Sequence, residues 1–205
     1  DNEVQAEYEQ IRQRYTNDKI ITQKIEEQLD IPSFIRKSEK RWDGGYVISG
    51  MLGHGDSFVF RDPDGIRTAF YYHDEEIAVV ASERAPLQTV MNVNVEEIRE
   101  LEPGQIMIIK KNGTIYFDKI RIPSPRLKAC SFERIYFSRG SDVDIYTERK
   151  KLGASLAEPI LKAVDYDIEN SVFSFIPNTA EVAFYGMTQG IRNITGKDPH
   201  VEKVL

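Results

Sequence analysis

Apolar residues recur at two different spacings along this chain, and the change of spacing divides it. Over the first 42 residues the spacing is helical. Tyr8, Ile11 and Tyr15 fall three and four apart, and Ile21, Ile25 and Leu29 four apart, so two helices are expected there. Pro32 interrupts the second run, and Ser33 offers a cap for a third short helix reaching Trp42. From residue 44 to residue 118 the rhythm shortens. Six runs rich in β-branched and aromatic residues (YVISGML, SFVF, IRTAFYY, EIAVVAS, QIMIIK and TIYFDKI) predict strands of an antiparallel sheet with at least one buried face. Asp62-Pro63-Asp64-Gly65 predicts a tight turn between the second and third, because Pro63 presets φ and Gly65 accepts a positive one. Lys111-Asn112-Gly113 predicts a two-residue hairpin. A short helix is expected over residues 85–90.

Past residue 121 the pattern changes again. Ile122-Pro123-Ser124-Pro125-Arg126 reads as a stiff, extended linker, since prolines restrict themselves and their predecessors. The expected domains are therefore 1–122 and 127–205. In the second, residues 132–137 and 172–176 predict strands. Residues 146–164 predict a helix, and Asn178-Thr179 predicts the cap of another running through Ile191. Strand, helix, strand, helix is the order of a parallel α/β unit. Ligands in such units sit at the carboxyl ends of strands against helix N-termini, which makes residues 176–180 a candidate loop.

Composition narrows the classes. The 205 residues are 40% hydrophobic and 29% charged, ordinary for a globular protein. A net charge of −6 argues against a nucleic-acid binder. No apolar run approaches the roughly 20 residues of a membrane helix. The opening DNEVQAEYEQ is no export signal, and one cysteine permits no internal disulfide, so a reducing cytoplasm is expected. No second His or Cys stands at ligand spacing from His54, so its Gly-His-Gly context predicts a tight turn rather than a metal site. His73 and His200 are expected to be exposed.

Two stretches say more than any pattern. Residues 60–72, FRDPDGIRTAFYY, are followed at 79–83 by VVASE. This resembles the RDP-x-G-x-R turn and V-A-S-E strand end of the class II glutamine amidotransferase domain. Residues 130–142, CSFERIYFSRGSD, and 144–153, DIYTERKKLG, resemble the C-x-x-E-x-x-Y-F-A-R-P-D-S and S-A-R-x-x-x-G stretches of the amidophosphoribosyltransferase family. There they cross from the glutaminase domain into the phosphoribosyltransferase domain. The likeness runs in order from about Asp43 to about Met187.

The resemblance implies an α+β chain. Its first part would be the second half of an Ntn-hydrolase-type α/β/β/α glutaminase domain, and its second the start of an α/β phosphoribosyltransferase-type domain. It implies a parent enzyme that transfers glutamine-derived ammonia to phosphoribosyl pyrophosphate, giving 5-phosphoribosylamine in purine biosynthesis. Glutamine, phosphoribosyl pyrophosphate with Mg, and purine nucleotides would be its ligands, and a homo-oligomer its state. Tyr136, Ser138 and Arg149 match positions lining a nucleotide site in that family, and Thr179 matches a loop facing the pyrophosphate of the sugar donor. Asn178, Ala180 and Gly140 replace family residues there. The residues themselves also allow a plainer reading, in which Tyr136 is a core residue of a strand and Arg149 an exposed helix charge.

Arg61, Asp62, Ser82 and Glu83 match the scaffold of the glutaminase site. Locally, Asp62 would cap its turn, the arginines would form ion pairs, and Ser82-Glu83 would open a helix. The family's nucleophile is an N-terminal cysteine whose own amine serves as base. Asp1 is not one and Cys130 is internal, so no catalytic residue is expected in this chain and a fragment is the expectation. The family's glutamine-binding, oxyanion and ribose-phosphate motifs (G-H-V-R-x-x-T, S-D-S-E, H-N-G-x and D-D-S-x-x-R-G-T) are not found. Some members hold an iron–sulfur cluster, but four thiolates are needed and Cys130 is alone. Open strand edges would favour self-association. The alternative is a non-catalytic binding or assembly module derived from a class II amidotransferase. A different class II enzyme fits residues 60–72 but not YFSRGSD.

Overall fold

The computed structural model describes residues 2–203, with the side chains of residues 2–4 and Glu7 excepted; Asp1 lies outside the described residues. The chain is α+β and divides into two compact units, Asp1–Cys130 and Ser131–Leu205.

The first unit opens with helices α1 (Asn2–Arg14), α2 (Asp18–Gln28) and α3 (Ile31–Ser38). Each boundary has a local cause. Asn17 caps α2 by accepting from the Lys19 amide, and Asp30 caps α3 by accepting from Ser33 N at 3.0 Å. Pro32 sits in the first turn of α3 rather than breaking a helix. In the first turn its missing N–H costs nothing, so the expected cap at Ser33 moves back to Asp30.

Strands β1 (Val47–Met51), β2 (Ser57–Arg61), β6 (Gln105–Ile109) and β7 (Ile115–Lys119) form one antiparallel sheet in the order β1-β2-β6-β7. Strands β3 (Phe70–His73), β4 (Ala78–Ala81) and β5 (Arg99–Glu100) form a second, in the order β4-β3-β5. The one antiparallel sheet expected from the strand pattern is therefore two sheets. Residues 62–65 do not close a hairpin: β2 pairs with β1 and β6, β3 with β4 and β5, and the turn carries the chain between layers. Alternation explains the layering. Phe58, Phe60, Ile106 and Ile108 face α2 and α3, where Leu29, Ile31, Phe34 and Ile35 complete a core. Val59 and Met107 point the other way and meet Ala69, Tyr71 and Leu101 of the second sheet. Helix α4 (Arg84–Met91) lies against β3 and β4, burying Ala85 and Leu87. Between β6 and β7 only Gly113 has a positive φ, +85°. Lys110 pairs with Thr114 and Gly113 N donates to Lys110 O, so the loop has three residues, with glycine in the left-handed position.

The second unit is built on a helix pair. Helix α5 (Val143–Ala163) starts at Asp142, whose carboxylate accepts from the amides of Asp144 and Ile145. Helix α6 (Glu181–Thr195) ends at Gly196, φ +72°. Short strands β8 (Val172–Phe173) and β9 (His200–Val201) pair in parallel on either side of α6, so a parallel β-α-β unit is present. Ala157, Leu161, Phe173, Phe184, Met187 and Ile191 form the core.

Residues 132–137 are not the expected strand. Glu133–Phe137 is a π-helical turn, closed by Ser138 N donating to Glu133 O at 2.9 Å. Arg149 of α5 holds this segment by one carbonyl within the turn and one just after it. Nε donates to Arg134 O at 2.9 Å and a terminal nitrogen to Ser138 O at 2.7 Å.

Candidate functional site

The DPDG turn of the first unit shows why it reads so strongly in the sequence. Asp62 is fully buried, and its carboxylate accepts from the amides of Ile66 (2.9 Å) and Arg67 (3.0 Å). Arg61 is buried beside it. Its guanidinium donates to the carbonyls of Arg67 and Leu101 and pairs with Glu100 at 2.8 Å. Thr68 donates to Ser82 O at 2.7 Å, which ties the end of β4 to the same segment. Glu83 takes the N-cap position of α4 in extended backbone, without a side-chain bond to the helix start. The turn is thus a structural knot, and Arg61 and Asp62 point into backbone rather than toward an open cavity.

The expected linker also belongs to this knot. Ser124 N donates to Pro63 O, Lys128 N to Asp64 O and Cys130 N to Ile66 O. Lys128 Nζ lies 3.0 Å from the Asp64 carboxylate. Residues 124–130 therefore run along the turn instead of spanning free between units. Asp62→Ala removes the acceptor of two buried amides and is expected to cost about 2–3 kcal/mol of first-unit stability. Urea unfolding read through the first unit checks this; an unshifted midpoint would show that water replaces the carboxylate.

In the second unit the three residues expected at a nucleotide site meet Thr179, which was expected in the loop facing the sugar donor. Tyr136, Ser138, Arg149 and Thr179 line one cavity of about 610 Å³. Tyr136 is 59% exposed, so it is not the core residue of the plainer reading; the π-type turn presents its ring outward. Arg149 is 5% exposed, so it is not a solvated helix charge either. Its bonds to Arg134 O and Ser138 O make it the brace that shapes the wall, and its charge lies behind that wall.

Sequence reasoning missed the opposite wall. Tyr146 of α5, with Glu181, Val182 and Tyr185 of α6, completes the cavity. The Tyr185 hydroxyl donates to Glu181 Oε1 at 2.6 Å, which holds the Tyr185 proton above its ordinary titration range. The i, i+4 spacing of Glu181 and Tyr185 was the available signal. Ala180 occupies the N-cap position without a side-chain bond, so Asn178-Thr179 is not the cap; Asn178 contributes its carbonyl to Glu181 N. The peptide between Pro177 and Asn178 is cis.

A larger hollow of about 660 Å³ lies in the first unit, but side chains such as Phe34, Trp42, Met51 and Phe58 make it mainly apolar. Convergent polar groups favour the second-unit cavity as the ligand site. Cys130 is half-buried. Among the described residues no three His, Cys, Asp or Glu side chains cluster to hold a metal ion. Nor is any described helix long and apolar enough to cross a membrane.

No family model matches the chain. Individual relatives do. It is 33% identical to the amidophosphoribosyltransferase of Lachancea kluyveri over 148 residues, 67% of this chain and 28% of that protein. To the enzyme of the same name from Pseudomonas aeruginosa it is 31% identical over 164 residues, 75% of this chain and 31% of that protein. Among solved structures it superposes on glutamine phosphoribosylpyrophosphate amidotransferase of Bacillus subtilis, complexed with ADP and GMP. The TM-score is 0.65 at 24% identity, over 98% of this chain and 42% of that one. A second structure, of the allosteric regulatory enzyme of purine biosynthesis, gives 0.66 at 23% identity over the same shares. At these identities the structures speak for the fold, and the sequence matches for the kinship. The chain is a relative of the amidophosphoribosyltransferases and spans less than a third of the length of those two curated relatives.

Proposed function

We propose that this chain is the central part of an amidophosphoribosyltransferase, an enzyme that moves ammonia from glutamine to phosphoribosyl pyrophosphate at the entry to purine synthesis. The observation that carries the reading is kinship with such enzymes at 31–33% identity along a stretch that crosses both units. In this reading residues 1–122 are the latter half of an Ntn-type glutaminase domain. The helix, sheet, sheet and helix layers of the first unit support that assignment. Arg61, Asp62 and Ser82 hold its framework by the bonds described above, and Glu83 stands at the start of α4. Residues 127–205 begin the phosphoribosyltransferase-type domain, and the β8-α6-β9 unit supports this. Compartment and assembly follow the same reading: cytoplasmic and homo-oligomeric.

The second-unit cavity is read as part of a purine nucleotide site. Tyr136 offers an exposed face for stacking, Ser138 and Thr179 offer hydroxyls, and Arg149 braces the wall from behind through its bonds to backbone. The B. subtilis relative is complexed with ADP and GMP, which supports nucleotides as the ligand class. Magnesium would accompany phosphoribosyl pyrophosphate in the parent enzyme, but the described residues offer no cluster of ligands to hold it. An iron–sulfur cluster does not fit a chain whose single cysteine is Cys130.

The test is glutamine-dependent pyrophosphate release from phosphoribosyl pyrophosphate by the gene product that carries this chain. Release that requires both substrates is expected. Its absence, with nucleotide binding retained, would support a non-catalytic binding module instead.

A further inference from the structure

We propose that the loop between β6 and β7 modifies itself: Asn112 loses its side-chain amide by attack from Gly113, and the product loosens the hold on the buried carboxylate of Asp56. Asn112 is the one asparagine of this chain that precedes a glycine. The nucleophile, the Gly113 amide nitrogen, belongs to the next residue, so the attack on Asn112 Cγ is intramolecular. Gly113 has no Cβ to shield that nitrogen. No atom lies within 4 Å of where a Cβ would stand, and both residues are exposed.

The bonds balance with water as the one co-reactant. The Gly113 N to Asn112 Cγ bond forms, the Cγ–Nδ2 bond breaks, and ammonia leaves with the proton from Gly113. Water then opens the cyclic imide. Opening at Cγ gives aspartate. Opening at the main-chain carbonyl gives isoaspartate, whose backbone runs through Cβ and Cγ and is one atom longer. The folded loop restrains the first step. Gly113 N already donates to Lys110 O at 2.8 Å, and Asn112 Oδ1 accepts from Thr114 N at 3.0 Å. The nitrogen must leave the first bond before it can lose its proton, and the side chain must leave the second before it can turn. Local opening of the hairpin end therefore sets the rate.

The position gives the reaction a consequence. Lys110 and Lys111, directly before Asn112, supply the ammonium and the amide that hold the fully buried Asp56 carboxylate. A longer backbone after them breaks the closure between Gly113 and Lys110. A new carboxylate two residues from Lys110 offers that ammonium a second partner. Both weaken the grip on Asp56.

The experiment keeps the gene product that carries this chain in mildly alkaline buffer, folded or unfolded in urea, and follows residue 112 by peptide mass spectrometry. Conversion exchanges an amide for a carboxylate, read as a small mass gain and one extra negative charge, and the two products separate as two peptides. Conversion is expected in both states, about fivefold slower in the folded one because the bond to Lys110 O must open. After conversion the first unit should unfold at lower urea. Asn112→Gln, whose longer side chain closes its ring far more slowly, should keep its midpoint through the same treatment. An amide retained at residue 112 of the folded protein long after the unfolded sample has converted overturns the proposal. Equal rates in the two states do so as well, as does a converted protein whose midpoint has not moved.

Discussion

Gly153→Ala is expected to unfold the second unit under conditions where the unsubstituted chain is folded. Helices α5 and α6 cross with backbone against backbone. A Cβ on Gly153 would lie 1.7 Å from the carbonyl oxygen of Ala183, and one on Gly186 would lie 1.9 Å from that of Lys150. Neither contact can be relieved by turning a side chain, because the opposing atom is helix backbone. Alanine is the better helix former by about 1 kcal/mol, which works the other way. The clash wins, since relieving it means prising apart the pair that holds Ala157, Leu161, Phe184 and Ile191 in one core. A net loss of about 3 kcal/mol or more is expected, at the upper end for overpacking, with the cost falling on the second unit. Hydrogen exchange across residues 143–195 should accelerate sharply while exchange in the first unit stays as it was. A useful control is Gly190→Ala. Its nearest obstacles are the Cβ of Ala157 at 2.7 Å and the backbone of Ala154 beyond 3 Å, so the loss should be smaller. Unchanged exchange in Gly153→Ala would mean that the helices do not approach so closely.

What the sequence reveals about this fold depends on how far apart the cooperating residues stand. Asp62 and Gly65 form a turn from their own neighbours, so the turn was legible. That it passes between two sheets was not, because pairing of β3 with β5 rather than β2 is decided by residues near 100. Residues 132–137 are rich in aromatic and β-branched side chains, which favours a strand. They form a π-type turn instead, and Arg149, on the following helix, holds it by the carbonyls of Arg134 and Ser138. The same distance hid half of the candidate site. Tyr136, Ser138, Arg149 and Thr179 followed from resemblance, and the structure brings them to one cavity. Glu181 and Tyr185 carried no motif, and only the fold sets them opposite.

Asp56→Asn is expected to destabilise the first unit by about 3 kcal/mol near neutral pH, and to remove part of its sensitivity to acid. The GHGD segment reads locally as a turn, and Gly55 does adopt a positive φ of +110°. Its last residue is a fully buried carboxylate whose partners lie 54 and 55 residues downstream. Lys110 Nζ bonds to Asp56 Oδ2 and also reaches Glu26 O of α2, so this one ammonium joins the sheet to the helix layer. The amide of Lys111 donates to Oδ1 at 2.9 Å, and the ring of the nearly buried His54 comes within 3.0 Å of Oδ2.

Burial alone would raise the Asp56 carboxyl. The Lys110 ammonium, the Lys111 amide and the His54 ring together outweigh it, and the group titrates below the ordinary carboxylate range. The unfolded chain therefore takes up this proton first as pH falls. The stability that Asp56 contributes is complete above the ordinary aspartate range, near pH 4, and is lost as pH drops through the lower value of the folded state. Asparagine keeps the shape but not the charge. It leaves the Lys110 ammonium, 22% exposed, without its buried partner, and it has no proton to take up. Urea midpoints of the unsubstituted chain and Asp56→Asn should differ most above pH 5 and converge toward pH 2. Adding Lys110→Met should recover part of the loss at neutral pH, because no charge is then stranded. Parallel midpoint curves across the whole range would show that the carboxylate is not held by these three groups.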